Sequence, residues 1–164
     1  QNIGVVRPRT GYLEGLRQSL PDARIRVLPG VPRLLDALEA EPSAILGLLT
    51  GNLREGAQLK LDAAGIGFDR FVVGAFGSDH ADRPELPAVA IRRAEERFGH
   101  RLGGKSVVII GDTPRDIACG EHLGVRTIAV ATGNYTREEL SACGPDYVFE
   151  TLEDTAAVWE AIFG

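Results

Sequence analysis

Two acids, Asp112 and Asp116, end the stretch Val107-Val108-Ile109-Ile110-Gly111-Asp112-Thr113-Pro114-Arg115-Asp116. Its β-branched start over Val107 to Ile110 reads as a buried strand. Thr113-Pro114 then opens a helix with a cap and a proline at its first position. Asp112 therefore falls just past a strand, and Asp116 in the first turn of the next helix. Carboxylates so spaced can converge on a hard cation, which prefers oxygen ligands and keeps several waters. The plainer reading has Asp116 complementing the helix N-terminus. It does less to explain a second acid at a strand end beside a glycine.

A second polar cluster is Leu48-Leu49-Thr50-Gly51-Asn52. A hydroxyl, an unhindered glycine backbone and the start of a helix make an anion cradle, where free N–H groups and the helix dipole favour phosphate. An ordinary strand-to-helix turn uses the same residues. Between the two clusters lies Asp82-Arg83-Pro84. The planar fork of Arg83 just before a helix could neutralise a phosphate, although a lone Arg before a proline is more often a solvated loop residue. One pattern misleads. Gly99-His100-Arg101-Leu102-Gly103-Gly104-Lys105-Ser106 fits a P-loop letter for letter, but it follows a helix and leads into a strand, the reverse of the required context. His80, His100 and His122 are scattered and show no metal-ligand spacing.

These residues need a frame. From Pro29 onward, helical and strand patterns alternate. A helix is predicted over Val31 to Glu39 and a buried parallel strand over Ala44 to Leu49. Leu53, Ala57, Leu61 and Ala64 recur at helical spacing until Gly65, with Asn52 and Glu55 in the form of a capping pair. A strand over Phe71 to Ala75 precedes a helix marked by Leu86, Val89, Ala90, Ala94 and Phe98. Gly124 ends the helix that Thr113 opened, a strand follows at Thr127 to Val130, and a last helix spans about Leu152 to Ile162, packing through Val158, Trp159 and Ile162. Such alternation implies a mainly parallel sheet with helical crossovers. The first 28 residues read differently: a helix is predicted over Tyr12 to Leu20, and Pro21-Asp22-Ala23 is expected to turn the chain before Ile25-Arg26-Val27.

Bulk properties set limits. The chain has 164 residues, enough for one domain with a hydrophobic core. A net charge of −5 argues against a nucleic-acid binder, which is usually basic. No apolar run approaches the roughly 20 residues that span a bilayer. Gln1 to Gly11 lacks the features of a signal peptide. Cys119 and Cys143 form neither a CxxC pair nor a disulfide framework, and are expected to be two buried thiols of a cytoplasmic protein.

Taken in order, Leu-Leu-Thr-Gly-Asn, Arg83-Pro84 and Gly-Asp-Thr-Pro-Arg-Asp resemble the second, third and fourth motifs of haloacid-dehalogenase-like hydrolases. The resemblance runs from Pro29 to the C-terminus and is nearest to the phosphoglycolate-phosphatase-like branch. It implies a Rossmann-like three-layer α/β sandwich over residues 29–164. Residues 1–28 become the tail of a helical cap and a linker. It further implies a phosphoric monoester hydrolase acting on a small phosphorylated metabolite with Mg²⁺. Thr50 would hydrogen-bond the phosphoryl group, helped by backbone N–H groups near Gly51 and Asn52. Arg83 stands where the family has lysine, which keeps the charge and changes its geometry. Asp112 would ligate Mg²⁺, and Asp116 would support the metal or its waters. The family reaction is attack by an aspartate on a phosphomonoester, giving an aspartyl-phosphate that water hydrolyses.

The family's first motif, an Asp-x-Asp pair that supplies nucleophile and general acid/base, occurs nowhere in this sequence. In the family fold its strand lies mid-sheet. Gln1 to Val6 is a candidate to fill that place, but Gly4 is small and no acid follows Val6. The expectation is therefore an incomplete chain, with the nucleophile strand and most of the cap upstream and Tyr12 to Leu20 as the last cap helix. Two alternatives stay open: a non-catalytic phosphate-binding or regulatory module, and a 2-haloacid dehalogenase. The Asp112/Asp116 pair argues against the second, since carbon–halogen displacement needs no phosphate-binding cation. Neither the substrate nor the oligomeric state is legible.

Overall fold

The computed structural model describes residues 3–4, 27–80 and 85–164. Apolar runs make the strands, and alternation along them sends side chains to opposite faces. In β2 (Ile45–Leu49) and β4 (Val108–Gly111), Leu46, Leu48, Val108 and Ile110 enter one core, which they share with Ile128 and Val130 of β5 (Arg126–Val130). Ile45 and Ile109 enter a second core on the other face, with Val73 of β3 (Val73–Ala75).

Helices close both sides. On the first face lie α1 (Val31–Glu39), α2 (Arg54–Ala63) and α6 (Thr155–Phe163), through Leu34, Leu38, Leu61, Val158 and Ile162. On the second lie α3 (Leu86–Phe98), α4 (Pro114–Leu123) and α5 (Arg137–Ala142), through Ala94, Cys119, Ile117 and Leu140. In α1 the buried set Val31, Leu34, Leu35 and Leu38 follows the i, i+3, i+4, i+7 stripe that docks a helix on a sheet. The result is the three-layer α/β sandwich that the resemblance implies, built on the parallel strands that the alternation predicts.

Every recorded strand pair is parallel. β1 (Ile3–Gly4), β2 and β3 form one ladder, with Ile3 opposite Ile45 and Leu48 opposite Gly74. β4, β5 and β6 (Tyr147–Phe149) form the other, with Ile109 opposite Thr127 and Ala129 opposite Val148. β1 also contacts β4. With β1 against β4, the two ladders run outward as β3-β2-β1 and β4-β5-β6, so the order reverses where they meet, the place where open α/β sheets hold ligands at their strands' carboxyl ends.

Several details differ from the sequence reading. Ile3–Gly4 pair into the sheet, although the reading assigned residues 1–28 to a cap tail and linker. The expected helix at Tyr12 to Leu20, most of that segment and Arg83 lie outside the described residues. α5 and β6 were not anticipated. β6 is three residues long, too short for an alternation to register. α5 carries a readable signal, a Thr136–Glu139 capping box. The Asn52–Glu55 capping pair does not form. The cap position of α2 falls on Leu53, which has no side-chain bond there, because the Asn52 amide turns back to Thr50. The last helix starts at Thr155, where Asp154 accepts the Ala157 N–H. Cys119 is buried, whereas Cys143 is only half-buried. The P-loop look-alike is a helix–strand connection: Lys105 binds Asp146, and the Ser106 hydroxyl donates to the Gly103 carbonyl.

Candidate functional site

Thr50, Gly51 and Asn52 follow β2 at its carboxyl end. Thr50 is 2% exposed and Asn52 8%. The Thr50 hydroxyl oxygen accepts both the Asn52 backbone N–H at 3.1 Å and the Asn52 side-chain amide at 3.0 Å. A hydroxyl has two lone pairs and one proton. With its acceptor capacity taken by Asn52, its proton is the part left to give. This geometry is a side-chain turn in which the hydroxyl captures the N–H two residues on. The Asn52 N–H thereby serves the Thr50 oxygen.

The cradle rests on the turn after β3. Thr50 N–H donates to the Ala75 carbonyl at 3.1 Å, and Gly77 N–H donates to the Asn52 carbonyl at 2.9 Å. A Cβ at Gly77 would overlap the Gly51 carbonyl, so only glycine fits that approach. Asp79 shapes the turn by accepting the Phe76 N–H at 2.7 Å. Arg93 reaches across from α3 and grips Asp79 with both guanidinium nitrogens, at 2.7 and 2.8 Å. Those bonds, and then the Phe76 N–H, hold the Asp79 carboxyl below its ordinary value against the opposing effect of burial.

Asp112 and Asp116 lie beyond β4. The Asp112 carboxylate packs against Gly133, in the loop after β5, so closely that a Cβ there would overlap its Oδ2. Asp116 folds back over Gly111, where a Cβ would collide with its carboxyl group. Asp116 Oδ2 accepts the Thr113 N–H at 3.1 Å and the Thr113 hydroxyl at 2.7 Å, while its own N–H donates to that hydroxyl oxygen at 3.3 Å. Asp116 therefore does act as a helix-capping partner, as the plainer reading had it. The same fold-back turns it towards the strand end that Asp112 follows.

The structure thus brings Asp112 and Asp116 to the end of one strand and Thr50 to the end of another. In strand order β1 lies between those strands. Arg83 is outside the described residues. Among those residues no group of three or more His, Cys, Asp and Glu side chains gathers for a metal. Two carboxylates still match Mg²⁺, which is held by one or two of them and otherwise by water. The donor set fits a hard cation, and it contains no sulfur or imidazole. Three site residues were missed in the sequence. Gly133 had a visible signal, since Thr132-Gly133-Asn134 repeats Thr50-Gly51-Asn52 after a second strand. Asp79 and Arg93 had none, because their partnership depends on α3 folding back on β3.

Comparisons with known proteins agree with this architecture. A family model described as HAD-hydrolase-like matches residues 85–155, the stretch that holds Asp112 and Asp116. The chain is 30% identical over 146 residues to a phosphoglycolate phosphatase of Synechococcus elongatus, covering 87% of this chain and 64% of that protein. It is 31% identical over 111 residues to the pyrophosphatase PpaX of Bacillus velezensis, covering 66% and 49%. It therefore spans less than two thirds of either relative. A crystal structure of a predicted phosphoglycolate phosphatase from Haemophilus somnus superposes with a TM-score of 0.68 at 25% identity, covering 82% of this chain and 57% of that one. A haloacid-dehalogenase-like hydrolase of Streptococcus pneumoniae superposes with a TM-score of 0.65 at 23% identity over 87% and 66%, a likeness of fold alone. No helix among the described residues is long and apolar enough to cross a membrane.

Proposed function

For a chain that belongs to the haloacid-dehalogenase-like hydrolases, in their phosphoglycolate-phosphatase-like branch, we propose that residues 29–164 are the phosphate- and metal-binding core of a cytoplasmic phosphatase of small phosphorylated metabolites. Residues 1–28 are the cap tail and linker, apart from the strand Ile3–Gly4. The observation that carries this reading is the seating of two acids at the end of β4. Asp112 and Asp116 each lie against a glycine whose Cβ would displace them. An ordinary surface acid needs no such clearance.

In this reading Asp112 and the remaining oxygen of Asp116 hold Mg²⁺ and its waters, because Oδ2 of Asp116 already serves Thr113. A Mg²⁺ held by these residues would supply positive charge against the phosphoryl oxygens. The Thr50 hydroxyl would donate a hydrogen bond to a phosphoryl oxygen, and Asn52 fixes that direction from behind. The Gly51 N–H would be a second donor, and Arg83, between the two clusters in sequence, would supply a cation. Positioning and charge stabilisation of this kind supply most of the catalysis in phosphoryl transfer. An aspartate nucleophile completes the family reaction through an aspartyl-phosphate; the 164 residues hold no Asp-x-Asp to provide it.

A second reading has a specific observation in its favour. Ile3–Gly4 occupy the place between β2 and β4, and the next residues, Val5-Val6-Arg7, carry no acid. That combination suits a module that binds phosphate without turning it over. One experiment addresses both. Hydrolysis of p-nitrophenyl phosphate with and without Mg²⁺, alongside phosphate binding, is measured for this chain and for a longer form with an Asp-x-Asp motif. Metal-dependent turnover confined to the longer form supports the phosphatase. Binding without turnover in both supports the module. Absence of phosphate binding from both sinks the two readings together.

A further inference from the structure

We infer that Asp79 and Arg93 are a positioning pair that holds the phosphate cradle in its binding shape. The inference deepens the proposed function and rests on its assignment of Thr50 as a phosphate donor.

Among the described residues, three bonds of Arg93 converge on one place. Two reach Asp79, and the third reaches the Gly74 carbonyl at 2.7 Å, inside β3. Asp79 closes the turn by accepting the Phe76 N–H while its own N–H donates to the Phe76 carbonyl at 2.9 Å. The next residue along that turn, Gly77, donates to Asn52, and Asn52 donates twice to Thr50. An unbroken path of hydrogen bonds and one turn of chain thus runs from the guanidinium to the donor hydroxyl. A second arginine secures the other side of the turn: Arg54 of α2 stacks on the Phe76 and Phe68 rings, 5.4 and 5.0 Å from their centroids.

An ordinary surface ion pair is worth about 0–1 kcal/mol and orders nothing beyond itself. This pair differs because a planar fork meets both carboxylate oxygens, which fixes direction as well as distance. Its polar contacts lie on the turn and the strand before it. Losing it should loosen the turn and the cradle seated on it, and leave the sandwich intact.

The test uses inorganic phosphate as probe and the whole chain, reading affinity by calorimetric titration and intrinsic stability by melting without phosphate. Arg93→Gln and Asp79→Asn should each weaken phosphate binding roughly tenfold, the usual scale for losing a supporting partner. The double variant should bind no worse than the weaker single variant, because the two residues act as one unit. Arg93→Lys should recover part of the loss, since it restores charge but not the fork. Thr50→Val is the anchor. If it abolishes phosphate binding while both single variants bind like the parent, the positioning role is overturned and the cradle stands. Lower melting temperatures with unchanged phosphate affinity would likewise reduce the pair to a structural ion pair. If Thr50→Val binds phosphate normally, the cradle assignment itself fails and takes this inference with it.

Discussion

Asp116 has two explanations that predict different melting curves. Its carboxylate closes the Thr113 capping box through two bonds on Oδ2, and it is also proposed to support Mg²⁺. Asp116→Ala removes both functions. Losing the cap should cost about 1 kcal/mol, or roughly 2–4 °C for a domain of this size. Asp116→Asn separates them. Its amide oxygen can still accept from Thr113, so the intrinsic loss shrinks to the charge–dipole contribution, about 0.3–1 kcal/mol. The metal contribution is read by adding Mg²⁺. At one hundred times its dissociation constant, a cation that binds only the folded state stabilises the parent by about 2.7 kcal/mol, or roughly 5–11 °C. A tenfold weaker site at the same Mg²⁺ concentration retains about 1.4 kcal/mol, which halves the shift. Differential scanning fluorimetry of parent, Asp116→Asn and Asp112→Asn with and without Mg²⁺ decides the question. Asp112→Asn should abolish the shift. An Asp116→Asn variant that gains as much from Mg²⁺ as the parent would leave Asp116 a helix cap and nothing more.

Other outcomes follow from the same geometry. Gly133→Ala places a methyl where the Asp112 carboxylate lies, so Mg²⁺-induced stabilisation should fall at least severalfold in apparent affinity, with little change in metal-free melting at this exposed loop; unaltered Mg²⁺ affinity would show that Asp112 can move without consequence. Thr50→Val removes the acceptor of two buried Asn52 bonds, which should cost about 1–3 kcal/mol on urea unfolding, while Thr50→Ser should restore most stability and phosphate binding; equal stability of the Val and Ser variants would remove the hydroxyl's role. Stability should also decline in acid. Asp79 is depressed foremost by Arg93. At Asp146 burial pushes upward, but Lys105 and Thr127 together hold the carboxyl below its ordinary value. Both folded-state values lie beneath the unfolded value near 3.9, so their stabilisation is complete above that pH and is lost as pH falls through the folded values. Asp146→Asn should flatten this acid limb of the stability–pH curve, and an unchanged slope would refute the contribution.

Legibility in the sequence tracked how local the cause was. The core helices and β2, β4 and β5 came from periodicity over neighbouring residues, and α1 and the Thr113 start of α4 matched because stripe and cap are both local. Asp112 and Asp116 were visible because strand, turn and helix start lie within ten residues. Where two local partners compete, the sequence is ambiguous. Asn52 looked like a cap for α2, but a threonine hydroxyl two residues back supplied a nearer acceptor. What depends on distant elements meeting was hidden. Gly77 is defined by the Gly51 carbonyl and Gly133 by Asp112, and each has meaning only once strands lie side by side.

The middle of the sheet shows why binding and turnover must be tested apart. β2 and β4 each present backbone donors and acceptors that have to be matched in a buried sheet. Any short parallel segment can meet that demand, because ladder hydrogen bonds are made by the main chain and are indifferent to side chains. Ile3–Gly4 meet it on the β2 side, with Ile3 opposite Ile45 and Gly4 opposite Leu46. Aspartyl transfer makes a second demand at the same place, a carboxylate just past the strand's carboxyl end, and that demand is wholly one of side chain. In this sequence the first acid after the strand is Glu14. A filled strand position is thus evidence about folding and leaves the reaction undecided. The cradle at Thr50 and the acids at Asp112 and Asp116 sit on other strands and need only the sheet. They should bind phosphate and Mg²⁺ whether or not a nucleophile stands between them, so affinity measured on this chain bears on the site, and turnover requires the aspartate in addition.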